Sequence, residues 1–187
     1  MDFTDDTLKR ATAGDSKAFE SLLRGIEKLL YNIAYRMVGP ADAEDVCQEA
    51  IIKIWKNIYK VNSASYFRNW ACVIVTNTCY DELRKRRGKA AVSLDSDDEA
   101  AVFAPVSDEG NPLDALVKSE SFEEIEKAIF RLPTNQRLIV ALRDIEGLSY
   151  GDLSAILKVP EGTVKSRLNR ARAALKKLLT ETEQKSV

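Results

Sequence analysis

Apolar residues recur at three- and four-residue spacing from Phe19 through Leu22, Leu23, Ile26, Leu29, Leu30 and Ile33 to Met37. That period belongs to a helix with one buried face, and it does not fit a strand, whose apolar residues alternate. Asp15 ahead of the run supplies an N-cap, and Gly39-Pro40 behind it supplies a stop. The same punctuation returns along the chain. It predicts helices over 41–58, from Ser65 to Arg87 before Gly88, from the Asn111-Pro112 pair to Leu132 before Pro133, and from a Thr134 cap to Gly147. Ser149 with Asp152 forms a capping-box pattern for a short helix to Leu157. After Lys158-Val159-Pro160 a last helix runs from Glu161 to Leu179. Strand signals are almost absent, so the expected fold class is all-α.

Residues 89–110 break the pattern. Asp95, Asp97, Asp98, Glu99, Asp108 and Glu109 stand among Ser, Pro and scattered Ala and Val with no sustained period, the composition of a flexible acidic linker. Two small helical domains are therefore expected, 1–88 and 112–187, joined by 89–111. The whole chain carries 28 Lys and Arg against 29 Asp and Glu, a net of −1 that by itself argues against a nucleic-acid partner. The charge is unevenly spread, however: 89–118 sums to −5 and is flanked by segments of +2 on each side.

Other chemistry is excluded by what the chain lacks. Without a single histidine there is no Ser-His or Cys-His catalytic pair and no imidazole for a zinc site. Cys47, Cys72 and Cys79 form no CxxC pattern. Seven residues along one helix place Cys72 and Cys79 about 10.5 Å apart, beyond the roughly 7 Å limit for a disulfide. Unpatterned thiols fit a reducing cytoplasm. The longest apolar stretch, Ala71 to Val75, is far short of the roughly 20 residues that span a bilayer. The acidic start, Met1-Asp2-Phe3-Thr4-Asp5-Asp6, is unlike a signal peptide. No cofactor, metal or membrane insertion is expected.

The segment from Leu148 to Leu157, a three-residue turn and then Glu161 to Arg170 has the form of a helix-turn-helix. On the second helix, Val164, Leu168, Ala171, Leu175 and Leu178 share one face at 100° per residue. Lys165, Ser166, Asn169 and Arg170 lie opposite, and the helix sums to +5. Small and polar residues at its start with Arg and Lys further along suit a major groove, where the start reaches base edges and the cations meet phosphates. A solvated basic face on a bundle helix is the plainer alternative.

On helix 41–58, Ile52 falls within the stripe formed by Asp45, Gln48 and Glu49, away from the apolar half that carries Val46, Ala50 and Ile54. It reads either as an isolated surface residue or as a partner patch. Helix 65–87 ends in Arg84-Lys85-Arg86-Arg87, more cations than its dipole alone accounts for. Phe67 and Trp70 are assigned to its core face, whereas Tyr66 and Asn77 are candidates for contact with unpaired bases. A metal-dependent nuclease using Asp42, Glu44, Asp45 and Glu49 is disfavoured, because helix spacing scatters those carboxylates and no nucleophile stands beside them.

Taken together, Asp42-Ala43-Glu44-Asp45-Val46-Cys47-Gln48-Glu49 leading to Ile54-Trp55, then Trp70, Asn77, Asp81 and the 84–87 basic run, resemble region 2 of bacterial extracytoplasmic-function sigma factors. Leu132-Pro133-Thr134-Asn135-Gln136-Arg137, Gly162-Thr163-Val164-Lys165-Ser166-Arg167 and Arg170-Ala171-Arg172 resemble region 4 of the same family. The resemblance implies a non-enzymatic initiation factor that carries core RNA polymerase to promoter DNA. It implies that Asp45, Gln48, Glu49 and Ile52 meet the coiled coil of the polymerase's largest subunit, and that region 4 lies near the polymerase flap. It also implies that Asn62, Tyr66 and Asn77, with Arg84, Arg86 and Arg87 on the backbone, engage the −10 element as single strand. Lys165, Ser166, Arg167, Asn169 and Arg170 would read the −35 element in the major groove. The loop Lys60-Val61-Asn62-Ser63-Ala64-Ser65 departs from the family's usual loop sequence, so no −10 base preference carries over. An anti-sigma factor and a cytoplasmic location are further expectations. A stand-alone helix-turn-helix regulator, which would bind duplex DNA unaided, is the alternative.

Overall fold

The computed structural model describes residues 4–86 and 116–183. The expected linker 89–111, the Asn111-Pro112 helix start and Arg87 lie outside the described residues. Nine helices are described: α1 Asp5–Thr12, α2 Ser16–Arg24, α3 Glu27–Val38, α4 Pro40–Asn57, α5 Ala64–Arg86, α6 Leu116–Arg131, α7 Thr134–Val140, α8 Tyr150–Leu157 and α9 Glu161–Glu183. A 3₁₀ turn, Ile58–Lys60, links α4 to the loop before α5. Among the described residues there is no strand.

In the N-terminal half α3, α4 and α5 pack against one another, with α1 and α2 paired beside them. Leu30, Ile33 and Met37 of α3, Ala50 and Ile54 of α4, and Phe67, Ala71 and Val75 of α5 have no exposed surface. The predicted single run from Asp15 to Met37 is two helices. Asp15 caps the first through its Oδ1, which accepts the Lys17 and Ala18 N–H groups at 2.9 and 3.1 Å. The chain then turns at Gly25 and Ile26, and Ile26 is buried in the joint, so both pieces keep their apolar faces on one core. The stop at Gly39 holds as expected: its φ of 88° excludes most side chains, and Pro40 opens α4 where a missing N–H costs nothing. Helix α1 was not foreseen. Thr4 caps it, and only Leu8 and Ala11 are buried along its length.

In the C-terminal half α6, α7 and α8 all pack on α9. Val164, Leu168 and Ala171 are buried there, while Leu175 and Leu178 are partly buried. The Ser149–Asp152 capping box forms in both directions, with Ser149 N–H donating to Asp152 Oδ2 at 3.0 Å and Asp152 N–H to Ser149 Oγ at 3.1 Å. Thr134 does not cap α7. Pro133 holds the cap position without a side-chain bond, and Thr134 is buried as the helix's first residue. The helix passes at Ala141–Ile145 into a π turn, marked by Glu146 N–H donating to Ala141 O at 3.0 Å, before Gly147 turns the chain at φ 68°.

The two halves are docked along α3–α7 and α5–α8. Arg137 of α7 is fully buried at this seam. Its guanidinium donates to the carbonyls of Arg36 and Met37 at 3.3 and 3.4 Å and to Leu132 O at 3.0 Å, and it lies 5.6 Å from the Phe130 ring centroid. Those acceptors lie at the ends of α3 and α6, where carbonyls lack helical partners and the dipole is negative. Around it, Tyr80 Oη donates to Asn135 Oδ1 at 2.5 Å and Asn69 Nδ2 to Asp152 Oδ1 at 2.8 Å. Asn32 Nδ2 reaches Glu146 at 2.8 Å and Arg36 pairs with Glu126 at 3.2 Å. Burial pushes the Tyr80 hydroxyl up to about 12, so it stays a neutral donor. Replacing Arg137 with Ala removes hydrogen bonds from a charged donor, worth about 1.5–3 kcal/mol each. For a chain of this size the loss of even one should lower the thermal midpoint by roughly 3–12 °C, and the radius of gyration from small-angle scattering should rise. An unchanged profile in both would show that Arg137 does not hold the seam.

Candidate nucleic-acid interface

The helix-turn-helix is α8, the turn Lys158–Pro160 and α9. Lys158 takes the left-handed conformation, φ 54°, at the end of α8. Ser154 Oγ donates to Val159 O at 2.7 Å, which fixes the turn from inside. With Val164 and Leu168 buried, the opposite face presents Lys165, Ser166, Asn169 and Arg170 to solvent, with Arg167 half-buried at the edge. This is the set that the helical wheel placed outward. Tyr150, whose part sequence reasoning missed, steers one of them: its ring has the Lys165 ammonium 5.4 Å from its centroid and the Arg143 guanidinium at 4.8 Å. An aromatic at the first position of α8 and a Lys one turn into α9 was the available signal. Arg172 is committed elsewhere, paired through both its Nε and a terminal nitrogen with Asp144 of the π turn.

On the N-terminal half Phe67 is fully buried and Trp70 half-buried, with their rings 6.3 Å apart. Tyr66 is 50% exposed, and Asn62 and Asn77 are exposed. Asn77 thus faces water, not an apolar interior. The basic end of α5 is less available than the sequence suggested. Arg84 pairs with Asp81 at 2.9 Å. Arg86 donates to Val38 O at 3.0 Å and to Glu82 at 3.3 Å, and also pairs with Asp42, so it ties α5 to the ends of α3 and α4.

On α4, Asp45, Gln48 and Ile52 share an exposed face, with Ile52 at 53% exposure. Glu49 is half-buried and turned aside: Lys53 Nζ at 2.8 Å and, more distantly, Lys85 hold its carboxyl below the usual range. Beside this face Tyr31, Glu44, Gln48 and Ile51 border a groove of about 460 Å³ between α3 and α4. Tyr31 is an exposed aromatic on its edge that the sequence reading did not single out, and Trp55, placed on the apolar half of α4 by that reading, is 38% exposed with its ring 4.7 Å from that of Phe19. Cys47, Cys72 and Cys79 are all buried and free. Burial pushes the Cys47 thiol up to about 11 and Cys72 to about 12, far from a reactive thiolate. Among the described residues no group of three or more Cys, Asp or Glu side chains is arranged to hold a metal. Nor is any described helix long and apolar enough to cross a membrane.

These features define a helical protein with a helix-turn-helix whose second helix exposes a basic face, and with a second, separate exposed face on α4. Residues 22–89 match the Sigma-70 region 2 family and residues 122–175 match Sigma-70, region 4. The chain is 33% identical over 178 residues to the ECF RNA polymerase sigma factor SigW of Bacillus subtilis, covering 92% of this chain and 94% of that one. It is 34% identical over 180 residues to the ECF RNA polymerase sigma-E factor of Escherichia coli K12, covering 92% of each. The chain belongs to the ECF RNA polymerase sigma factors, non-enzymatic proteins that direct RNA polymerase in promoter recognition. Among solved structures it resembles the sigma factor RpoE in complex with the anti-sigma factor NepR from Bartonella quintana, with a TM-score of 0.69 and 28% identity over 88% of this chain and 98% of that one. CnrH in complex with the cytosolic domain of CnrY shares the fold, with a TM-score of 0.68 and 22% identity over 94% and 96%. A match to region 2 as well as region 4 decides against the stand-alone regulator.

Because Asn77 is exposed, Asn77→Ala should change unfolding free energy by less than about 0.5 kcal/mol. Chemical denaturation measures this directly, and a loss of several kcal/mol would make Asn77 a structural residue.

Proposed function

We propose that residues 1–88 hold core polymerase and take the −10 element as single strand, that 112–187 read the −35 element as duplex, and that 89–111 connect them. The observation that carries this division is the contrast between two exposed helix faces. The face of α4 is acidic, amide and apolar around Ile52, whereas the face of α9 is basic and polar from Lys165 to Arg170. An exposed Ile ringed by polar groups and aromatics suits a protein hot spot, and we assign Asp45, Gln48, Glu49 and Ile52 to the coiled coil of the polymerase's largest subunit. Region 4 then lies toward the flap. On α9, Lys165, Ser166, Asn169 and Arg170 contact bases and phosphates, with Arg167 at the edge. Asn62, Tyr66 and Asn77 face the unpaired −10 strand, and Arg84 and Arg87 the backbone beside it; Arg86 joins them only by giving up part of its protein network.

Promoter engagement also requires the docked halves to part. Elements near −35 and −10 are about 25 base pairs apart, roughly 85 Å of duplex at 3.4 Å per step. The longest helices of the docked halves, α5 and α9, have 23 residues each, about 35 Å at 1.5 Å per residue, well short of that distance. The chain between Arg86 and Leu116 is long enough to allow separation, at about 3.3–3.6 Å per extended residue. A protein that favours the docked arrangement would hold the factor inactive, and an anti-sigma factor is the partner of that kind. RpoE in its complex with the anti-sigma factor NepR supports a partner of that class. Polymerase and promoter place the activity in the cytoplasm.

Transcription by core polymerase with and without the chain tests the proposal. Initiation should depend on the chain, and Ile52→Asp should weaken core binding by at least roughly tenfold, the loss of a hot-spot residue. Arg170→Ala should relax −35 discrimination by about 1–3 kcal/mol if it pairs with a base, or lower the salt slope by about one if it meets a phosphate. Chain-independent initiation, or neither variant changing its readout, would overturn the assignment.

A further inference from the structure

Helix α1 lies outside every surface assigned above, yet its first residue is built into one of them. Asp5 Oδ1 accepts the backbone N–H of Ala64 at 2.8 Å, and Ala64 is the first residue of α5. The carboxylate is not needed for the start of α1, because Thr4 already caps that helix through the Thr7 N–H at 3.2 Å. Ser63, immediately before α5, has its hydroxyl 2.8 Å from the Ser65 hydroxyl. Asp5 therefore serves as the N-terminal cap of α5 from a distance: it satisfies an N–H of the first turn and places negative charge at the positive end of the dipole.

The position of that cap gives it a further consequence. Asn62 stands two residues before Ala64 and Tyr66 two residues after it, and both side chains are exposed. Below them Ile58, Val61 and Ala64 are buried and anchor the segment to the core. Across the segment, Asp5, Lys9 and Thr12 of α1 and Tyr59 and Asn62 line an open groove of about 330 Å³, and Tyr59 is 64% exposed. The loop is thus held by apolar anchors underneath and by one ionic hydrogen bond from α1 at its end. A loop that samples several paths binds its ligand more weakly by the fraction of time spent in the competent one.

We infer that Asp5 is a positioning residue for recognition of the −10 element: by fixing the first turn of α5 it holds Asn62 and Tyr66 in the geometry that takes an unpaired base. This rests on the assignment of the 62–66 loop to the −10 strand made above. Asp5 itself meets no DNA, and its negative charge would oppose phosphate contact. Helix α1 belongs to the −10 apparatus through this bond.

The test uses the full chain with core polymerase on one promoter carrying a randomised −10 element, reading the ratio of initiation from preferred and disfavoured sequences. Asp5→Ala should lower that ratio by roughly 3- to 30-fold, the scale of a lost helix cap, while core binding and dependence on the −35 element stay unchanged. Asp5→Asn keeps an acceptor and should recover most of the ratio. Ala64→Pro removes the donor at a position where Pro is accepted; it should reproduce the loss, and combining it with Asp5→Ala should add nothing. Wild-type discrimination in Asp5→Ala overturns the inference, as does a parallel loss of core binding and −35 dependence that Asp5→Asn does not recover. Asn62→Ala and Tyr66→Ala separate the two levels. If they change −10 discrimination and Asp5→Ala does not, the positioning role alone fails; if neither changes it, the loop assignment fails and takes the positioning role with it.

Discussion

Arg137 is buried with its charge spent on the carbonyl ends of α3 and α6, and the relation of the two halves follows from it. A guanidinium stripped of water is tolerated only when its hydrogen bonds are supplied by the fold, and here α3 supplies two of them from across the seam. The neighbouring pairs, Tyr80 with Asn135 and Asn69 with Asp152, join α5 to α7 and α8, which pack on α9. Asp152 serves both the α8 capping box and the seam. Burial pushes its carboxyl up, but the hydrogen bonds from Ser149 and Asn69 outweigh burial and hold it below the usual range. Beside these polar contacts the seam has an apolar part: one buried cluster runs through both halves, and Tyr35 of α3 packs edge-on against Phe130 of α6. Separating the halves therefore also exposes apolar surface, a cost that new contacts must outweigh.

The faces of long helices were legible in the sequence because their burial follows a local period. Val164, Leu168 and Ala171 inward with Lys165 and Asn169 outward, or Phe67 inward with Tyr66 outward, need only the 3.6-residue repeat. The Ser149 capping box and the Gly39-Pro40 stop were equally local. The break at Gly25 was not legible, since the apolar period continues through it and only tertiary packing turns the chain there. Helix α1 is short and buries two residues, too few to show a period. Arg137 was noted only as part of a motif. Its acceptors across the seam, on α3, lie about 100 positions away, and a lone Arg beside Leu138, Ile139 and Val140 was the sole hint. Arg86 misled for the related reason that a basic run at a helix end does not disclose which of its members the fold has already paired.

The net charge of −1 conceals how the molecule is arranged. Cations on α9 are presented to solvent, those at the end of α5 are largely balanced by Asp42, Asp81, Glu82 and Glu49, and acidic and amide groups are gathered on α4. In the proposed assignment phosphate contacts supply affinity and a few side chains on rigid helices supply specificity. The same chain carries an acidic and amide face and a basic face without either being visible in the total.

Two halves docked through Arg137 should separate when promoter and polymerase engage. Energy transfer between dyes on Ser21→Cys and Lys176→Cys, both exposed positions on opposite halves, reads that separation. The buried native thiols should stay unlabelled. High transfer in the free chain, lost on addition of core polymerase and a promoter carrying both elements, is the predicted result. Low transfer in the free chain, or high transfer retained in the promoter complex, would contradict it.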